Sequence, residues 1–307
     1  RNGVSSPVAS SPAVLYNKIH MDNETALSTW LDRLEDFGGQ GTLLHLAHAN
    51  GFPPGTYRPL IDHLRDHHQV VALTSRPLWP GSRPESAPSW HPLADDLIRG
   101  LNALGMQSIL GVGHSIGGVL TMWAAVRRPD LFRAVVLIDP VILPPATLAL
   151  LRLMRAVGLE GRQPLVRGAL RRRRTWPNRH ACFEHYREKA FFSRWSDGSL
   201  WAYVEAGTRP TADGQVELTY PPEWEAHIFA TSPVDVWQAV PELQVPTLVV
   251  RGRETNTFRA ASHRRFARLA PNARFSVIPE AGHLVPMERP EETAEAIRRF
   301  LARLRSN

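Results

Sequence analysis

Ser115 lies at the centre of Gly113-His114-Ser115-Ile116-Gly117, which follows the pattern G-x-S-x-G. An apolar run precedes this segment and an apolar, helix-patterned stretch follows it. This context is typical of a nucleophilic serine on a sharp, strained turn that holds its Oγ clear of a sheet. Gly113 and Gly117 suit such a turn because side chains there would clash across it. The N-terminal N–H groups of the next helix would point at the reaction centre. The segment therefore predicts acyl transfer with Ser115 as the nucleophile.

A serine hydroxyl is a weak nucleophile near neutral pH unless a base accepts its proton. The chain has 13 histidines. Of these, His283 alone follows the last predicted strand on a short Gly-containing loop, which gives the chain order serine, acid, histidine. We therefore predict His283 as the base. His63 and His67 are predicted to share a helix face that could bind a metal. Without a third ligand, a surface role is favoured and no metal is predicted.

The loop His48-Ala49-Asn50-Gly51-Phe52-Pro53-Pro54-Gly55 follows the first clear strand. Acyl transfer places negative charge on the carbonyl oxygen of the substrate, and two preorganised N–H groups should stabilise it. One is the backbone N–H of the residue after the nucleophile, Ile116, and the other comes from a loop in this position. We predict the N–H of Phe52 as the second donor, although a loop rich in Gly and Pro can also be only a turn.

Short apolar runs that alternate with amphipathic stretches predict βαβ units and a parallel sheet. The predicted strands are Thr42–Ala47, Val70–Leu73, Ser108–Val112, Ala134–Ile138, Thr247–Val250 and Arg274–Ile278. The predicted helices are Thr56–His67, Pro92–Leu104, Gly118–Arg127, Phe258–Leu269 and Glu291–Arg305.

The alternation breaks between about Pro144 and Val236, which predicts an insertion between two parts of one α/β core. The division is 1–143 for the first part of the core, 144–236 for a helical cap and 237–307 for the second part. Five of the nine tryptophans fall in or beside this stretch. They are Trp176, Trp195, Trp201, Trp224 and Trp237. These rings either line a lid over a pocket or pack the insertion onto the sheet, and both interpretations stay open.

The serine turn, the His-Ala-Asn-Gly-Phe loop and the segment Gly-His-Leu-Val-Pro-Met-Glu-Arg-Pro resemble the α/β-hydrolase superfamily with a helical cap. The resemblance covers about residues 42–143 and 245–304. It implies a mostly parallel sheet of eight strands flanked by helices, with the cap inserted after strand 6. It also implies a catalytic triad, an oxyanion hole of two amides and no cofactor. Epoxide hydrolases and haloalkane dehalogenases of this superfamily use an aspartate where this chain has Ser115, so they are set aside.

The acid of the implied triad is the open position. Similar hydrolases carry an Asp in the loop after the seventh strand, where this chain has Asn256. Glu254 lies in the same loop, and Asp139 ends a strand predicted to neighbour that of Ser115. Asp139 follows Ser115 by 24 residues, and a minority of these hydrolases take their acid from that strand end. We favour Asp139 over Glu254. The alternatives are that Asp139 and the Pro after it only end the strand, or that no acid works.

The composition limits the cellular context and the partners. No run of 18 apolar residues exists, residues 1–11 lack the apolar core of a signal peptide, and Cys182 is the only cysteine. These features favour a cytoplasmic protein without a membrane span. The net charge of +7 includes the cluster Arg171–Arg174. We interpret this cluster as a solvated helix face, or as a site of attraction for an anionic surface or substrate, and predict no nucleic-acid partner.

Together these features predict a serine hydrolase that cleaves an ester-type bond of a small, largely apolar substrate through an acyl-enzyme. Ser115, His283 and Asp139 would form its triad. A C–C bond hydrolase or a thioesterase would use the same residues. Asn256 also leaves open a catalytically weak, ligand-binding pseudo-hydrolase.

Overall fold

A twisted, mostly parallel sheet forms the centre of the molecule. The computed structural model describes residues 24–305, so the polar residues 1–11 discussed above lie outside it. The strands are β1 Leu34–Asp36, β2 Thr42–Ala47, β3 His68–Leu73, β4 Ile109–His114, β5 Phe132–Ile138, β6 Thr175–Trp176, β7 Thr208–Pro210, β8 Val216–Leu218, β9 Thr247–Gly252 and β10 Arg274–Ile278. Seven of them form the main sheet in the order β1-β3-β2-β4-β5-β9-β10. Only β1 runs antiparallel to its neighbour.

All six predicted strands are present, with ends displaced by no more than two residues. Within residues 24–305 the sheet has seven strands, where the resemblance implied eight, and the insertion follows the fifth of them instead of the sixth. The edge strand β1 was not predicted. It has only three residues, Leu34, Glu35 and Asp36, which is too short for an alternating pattern to be recognised.

Helices cover both faces of the sheet. They are α1 Glu24–Leu31, α2 Arg58–Asp62, α3 His91–Ala103, α4 Ile116–Arg127, α5 Pro145–Ala156, α6 Pro164–Leu170, α7 Arg179–Arg187, α8 Asp197–Gly207, α9 Pro222–Ala230, α10 Ala260–Leu269, α11 Val285–Glu288 and α12 Pro290–Arg305. Successive residues of β5 belong to opposite cores because side chains alternate along a strand. Val135 packs with α3, α4 and α10, while Val136 packs with α2 and α12. Because helices cover both of its faces, the inner strand β5 is apolar at nearly every position.

One predicted helix is shorter than expected. The stretch Thr56–His67 forms a 3₁₀ turn, Pro54–Tyr57, followed by α2, which ends at Asp62. His63 and His67 therefore lie in exposed turns beyond the helix and do not share a helix face. Within residues 24–305, no helix is long and apolar enough to cross a membrane.

Residues 139–246 separate β5 from β9 and contain five helices, α5 to α9. The predicted cap, 144–236, lies inside this segment. It is not only helical, since β6, β8 and β7 form a small antiparallel sheet. Strands of two or three residues give no periodic signal, so this sheet could not be predicted. Hydrogen bonds join the insertion to the core, among them Trp90 Nε1 to the Ile228 carbonyl at 3.0 Å and Trp224 Nε1 to Ser82 Oγ at 3.1 Å.

Candidate active site

Ser115 is the single residue between β4 and α4, and its backbone is strained. Its φ of 58° and ψ of −118° place it in a region that L-residues rarely adopt. A Cβ on Gly113 would lie 2.3 Å from the Gly117 carbonyl oxygen, and one on Gly117 would lie 2.1 Å from the Ala47 carbonyl oxygen. Only glycine fits at these two positions, so the sequence pattern and the sharp turn have the same steric cause.

His283 lies in the loop after β10 and contacts the serine directly. Its Nε2 is 2.9 Å from Ser115 Oγ, and its Nδ1 is 2.9 Å from Asp139 Oδ1. A carboxylate only accepts hydrogen bonds, so Nδ1 carries the proton and Nε2 accepts the serine hydroxyl. The side chain of His283 is 25% exposed while that of Asp139 is fully buried. The three side chains thus form one hydrogen-bonded row in which His283 is partly exposed while Ser115 and Asp139 are buried.

Asp139 follows β5 and has a positive φ of 41°. Besides His283, three groups at the end of β9 and in the loop after it donate hydrogen bonds to its carboxylate. They are Thr255 Oγ1 at 2.6 Å, the Gly252 N–H at 3.1 Å and the Phe258 N–H at 3.4 Å. Four donors stabilise the negative charge of a fully buried carboxylate, which would otherwise be very costly. The loop in which an acid was expected therefore supplies the hydrogen-bond donors for an acid on the neighbouring strand.

The other two candidates for the acid face elsewhere. Glu254 forms an ion pair with Arg194, and its side chain is about half exposed. Asn256 is exposed, and its Oδ1 accepts a bond from Thr257 Oγ1 at 3.3 Å. Within the described residues, neither side chain has a hydrogen bond to His283.

A second buried network links the serine turn to both neighbouring loops. The Ala49 N–H donates to Tyr57 Oη at 2.9 Å, and Tyr57 Oη lies 2.8 Å from His114 Nδ1. His114 Nε2 donates to the His283 carbonyl oxygen at 2.9 Å, which makes Nδ1 the acceptor of the tyrosine proton. Burial and the nearby His283 lower the pKa of His114 to about 3, so its ring is neutral. The residue before the nucleophile thus positions the backbone of His283.

The two predicted oxyanion donors belong to α4 and to the loop after β2. Ile116 is the first residue of α4, where an N–H has no partner within the helix. The Phe52 N–H instead closes a turn onto the Ala49 carbonyl oxygen at 3.3 Å. That same oxygen also lies 2.9 Å from His48 Nδ1. The turn bond is therefore long and is made to an oxygen that has a closer partner.

Aromatic side chains of the insertion cover the predicted oxyanion loop. The ring of Phe52 lies 5.3 Å from that of Tyr203 and 6.1 Å from that of Trp195. Behind them, Arg172 pairs with Glu225 and donates to the hydroxyls of Tyr186 and Tyr203. Of the five tryptophans noted in the sequence, only Trp201 is not buried. Packing therefore accounts for most of them, and Trp195 alone among the five has a ring contact with Phe52.

Sequence reasoning did not identify three of the residues that support this site. Thr255 and Tyr57 act through the hydrogen bonds described above. The buried carboxylate of Glu288 accepts the Gly282 N–H at 2.7 Å and so holds the loop of His283. The only feature of the sequence that could have indicated Thr255 is its hydroxyl in the loop after β9. No local pattern marks Tyr57 or Glu288. Within residues 24–305, no group of three or more His, Cys, Asp or Glu side chains could hold a metal ion.

The sequence matches the profile of the Alpha/beta hydrolase family over residues 45–296. The chain belongs to this family. This α/β-hydrolase is 28% identical to the 2-(acetamidomethylene)succinate hydrolase of Mesorhizobium japonicum over 266 residues, which are 86% of this chain and 89% of that protein. It is 24% identical to a pimeloyl-[acyl-carrier protein] methyl ester esterase of Xanthomonas oryzae pv. oryzae, over 87% of this chain and 98% of the relative.

Among solved structures, a thermophilic esterase from Thermogutta terrifontis superimposes on this α/β-hydrolase with a TM-score of 0.64 and 25% identity. The alignment covers 88% of this chain and 92% of the esterase. The mostly parallel sheet flanked by helices is thus the fold of the family.

Proposed function

We propose that this α/β-hydrolase cleaves carboxylic ester bonds through an acyl-enzyme on Ser115. One observation carries the proposal. His283 Nε2 lies 2.9 Å from Ser115 Oγ while its Nδ1 lies 2.9 Å from the buried carboxylate of Asp139. A nucleophile, a base and an orienting acid within hydrogen-bond distance are the arrangement that activates a serine hydroxyl.

In the proposed reaction, Ser115 Oγ attacks the ester carbon as its proton passes to His283 Nε2. The tetrahedral intermediate collapses when the imidazolium returns that proton to the departing alcohol oxygen. Water then attacks the acyl-enzyme, with His283 as the base again, and the carboxylic acid leaves. Asp139 stays ionised throughout, holds the Nδ1–H tautomer and offsets the imidazolium charge.

The oxyanion would lie between the N–H groups of Ile116 and Phe52. The Ile116 amide stands at the N-terminus of α4, where the helix dipole also favours negative charge. The Phe52 amide would exchange its long turn bond to Ala49 for a shorter bond to the oxyanion. His48 Nδ1, at 2.9 Å, would keep the Ala49 carbonyl hydrogen-bonded during this exchange.

The substrate is proposed to be small and largely apolar. Support comes from the rings of Phe52, Trp195 and Tyr203, which lie together over the predicted oxyanion loop. Two of the similar proteins are named as esterases, which supports an ester ahead of a thioester or a C–C bond. The same serine chemistry would serve those two bonds, so the experiment includes them.

The test combines turnover of p-nitrophenyl esters of increasing acyl length with labelling by a fluorophosphonate probe. We expect the probe to label the wild-type chain at Ser115 and not to label Ser115→Ala. Among oxygen esters, thioesters and vinylogous 1,5-diketones, the oxygen esters should give the highest kcat/KM. A folded wild-type chain that takes no label and turns over no ester would contradict the serine-hydrolase mechanism. Labelling with turnover only of thioesters or diketones would replace the ester by one of those bonds.

A further inference from the structure

Helix α5 of the insertion is apolar on two opposite sides. Leu148 and Leu151 are buried against the rest of the protein. Leu150 and Leu153 lie on the other side of the helix, and Val157 follows directly after it. These three side chains are 56%, 61% and 57% exposed. A helix that covers one core needs one apolar stripe, so the second stripe has no structural function within the described residues.

Exposed aliphatic side chains continue on the next helix, α6, where Leu165 is 61% and Leu170 is 49% exposed. Five of the seven large exposed hydrophobic side chains of residues 24–305 therefore fall between positions 150 and 170. Single exposed leucines scattered over a surface are ordinary, but a concentration in one short segment marks an interaction surface.

Residues 144–174, which include this segment, have a net charge as large as that of the whole chain. Residues 144–174 contain eight arginines, no lysine and one acidic residue, Glu160, which gives this segment a net charge of +7. The chain as a whole also has a formal net charge of +7. The remainder of the chain is therefore neutral on balance, and the excess positive charge is confined to the part of the insertion that exposes its leucines.

Most of these arginines lack an acidic partner. Six of them are exposed, namely Arg152, Arg162, Arg167, Arg171, Arg173 and Arg174. Among the described residues, only Arg174 of this group has an ion-pair partner, Glu223. Among exposed arginines of the core, Arg299 pairs with Glu295, while Arg264 and Arg268 form no ion pair within the described residues. The positive charge on this part of the insertion is therefore available to an external anion.

We infer that this surface docks onto anionic phospholipid membranes, with the leucines entering the interface and the arginines contacting lipid headgroups. We call it the leucine–arginine face, and it consists of Leu150, Leu153, Val157, Leu165, Leu170, Arg152, Arg162, Arg167, Arg171 and Arg173. Apolar side chains beside basic ones are the composition that binds helices in the plane of a charged membrane. Membrane binding by this face would not require the proposed reaction at Ser115.

Two other occupants fit the face less well. A second copy of the chain would bring two surfaces of charge +7 together without acids to compensate them, which is repulsive. The central residues of protein interfaces are enriched in Trp, Tyr and Arg, with Leu and Val under-represented. The exposed apolar residues of this face are all Leu or Val, which suits acyl chains better than an acidic protein.

The experiment measures co-sedimentation of the full chain with vesicles of phosphatidylcholine alone and of phosphatidylcholine mixed with phosphatidylserine. We expect binding to the anionic vesicles that weakens as salt is added, because surface electrostatics are screened. The double variant Arg162→Gln/Arg167→Gln should bind anionic vesicles about 25-fold more weakly, since each basic residue near such a surface contributes about fivefold. The double variant Leu150→Ser/Leu153→Ser keeps the charge and should lose about 30-fold, from the apolar area no longer buried.

Arg264→Gln/Arg268→Gln provides the matched control, because it removes the same charge from exposed positions of core helix α10. This control should bind as the wild type does, and circular dichroism should be unchanged in all variants. Absence of binding at low salt, or an equal loss in the control, overturns the proposal. A dimer in analytical ultracentrifugation that Leu150→Ser/Leu153→Ser dissociates would also overturn the proposal. Binding of the chain to an acidic carrier protein but to no vesicle would do the same.

Discussion

Replacing Asp139 by Asn tests how the buried carboxylate supports His283. The amide keeps the size of the side chain but offers only one acceptor oxygen to four surrounding donors. If the amide oxygen keeps the bonds of Oδ1, the NH₂ group faces the Gly252 N–H, and two donors meet. If it is turned round, the NH₂ group faces His283 Nδ1 and favours the tautomer that cannot accept the serine proton.

In both orientations the negative charge that offsets the imidazolium is lost. We therefore expect kcat for p-nitrophenyl acetate to fall by about 10⁴-fold, which corresponds to about 5 kcal/mol of transition-state stabilisation. KM should change little, because His283 and the carboxylate do not bind the substrate. The measurement is steady-state turnover at pH 7, with circular dichroism and urea unfolding to show that the variant is folded.

The matched controls are Glu254→Gln and Asn256→Ala, which alter the two exposed side chains of the loop after β9. Each should keep kcat within about twofold of the wild type, as surface substitutions do. Wild-type turnover in Asp139→Asn, together with a loss of turnover in Glu254→Gln, would instead identify Glu254 as the acid.

Buried hydrogen bonds and buried histidines around the site can be tested by substitution and by changes of pH. Thr255→Val removes a 2.6 Å bond to the carboxylate and should lower kcat about tenfold at constant KM, while Thr255→Ser restores it. Tyr57→Phe leaves a buried N–H and a ring nitrogen without their hydroxyl partner, so the free energy of unfolding in urea should fall by about 1–3 kcal/mol. Burial lowers the pKa of His45 and His114 to about 3 and that of His48 to about 4. The unfolded chain therefore binds more protons below pH 6.5, and stability should fall from that pH towards pH 4, by about 2 kcal/mol per histidine at pH 5.

Each of these predictions has a clear contrary result. Equal kcat for the Val and Ser variants at position 255 would show that the hydroxyl does not position the carboxylate. Coincident unfolding curves for the wild type and Tyr57→Phe would mean that the phenol contributes nothing to the fold. A free energy of unfolding that stays constant between pH 7 and pH 5 would show that the buried histidines titrate normally.

The parts of the site that could be predicted from the sequence are those fixed by local geometry. The glycines beside Ser115 are required by the turn itself, and His283 is marked by its place after the last strand. The spacing from Ser115 to Asp139 was informative because β4 and β5 are neighbours in the sheet, so their carboxyl ends lie side by side.

The supporting contacts could not be predicted because they join distant parts of the chain. Thr255 contacts Asp139 across 116 residues, and Tyr57 contacts His114 across 57. No local pattern encodes which side chains meet over such separations. The same holds for the small sheet of the insertion, whose strands of two or three residues exist only because they pair. The end of α2 at Asp62 could not be predicted either. Leu64, one of the apolar residues that predicted a longer helix, is buried although it lies in the turn after α2.

The acyl-enzyme on Ser115 is the covalent intermediate of the proposed mechanism, and mass spectrometry of the acid-quenched protein can detect it. The chain is mixed with p-nitrophenyl acetate, quenched in acid within the first turnovers and digested for peptide mapping. The proposed mechanism predicts a single acetyl group on the peptide that contains Ser115, absent in Ser115→Ala. Rapid turnover with no adduct, or an adduct on another residue, would contradict a serine nucleophile at this position.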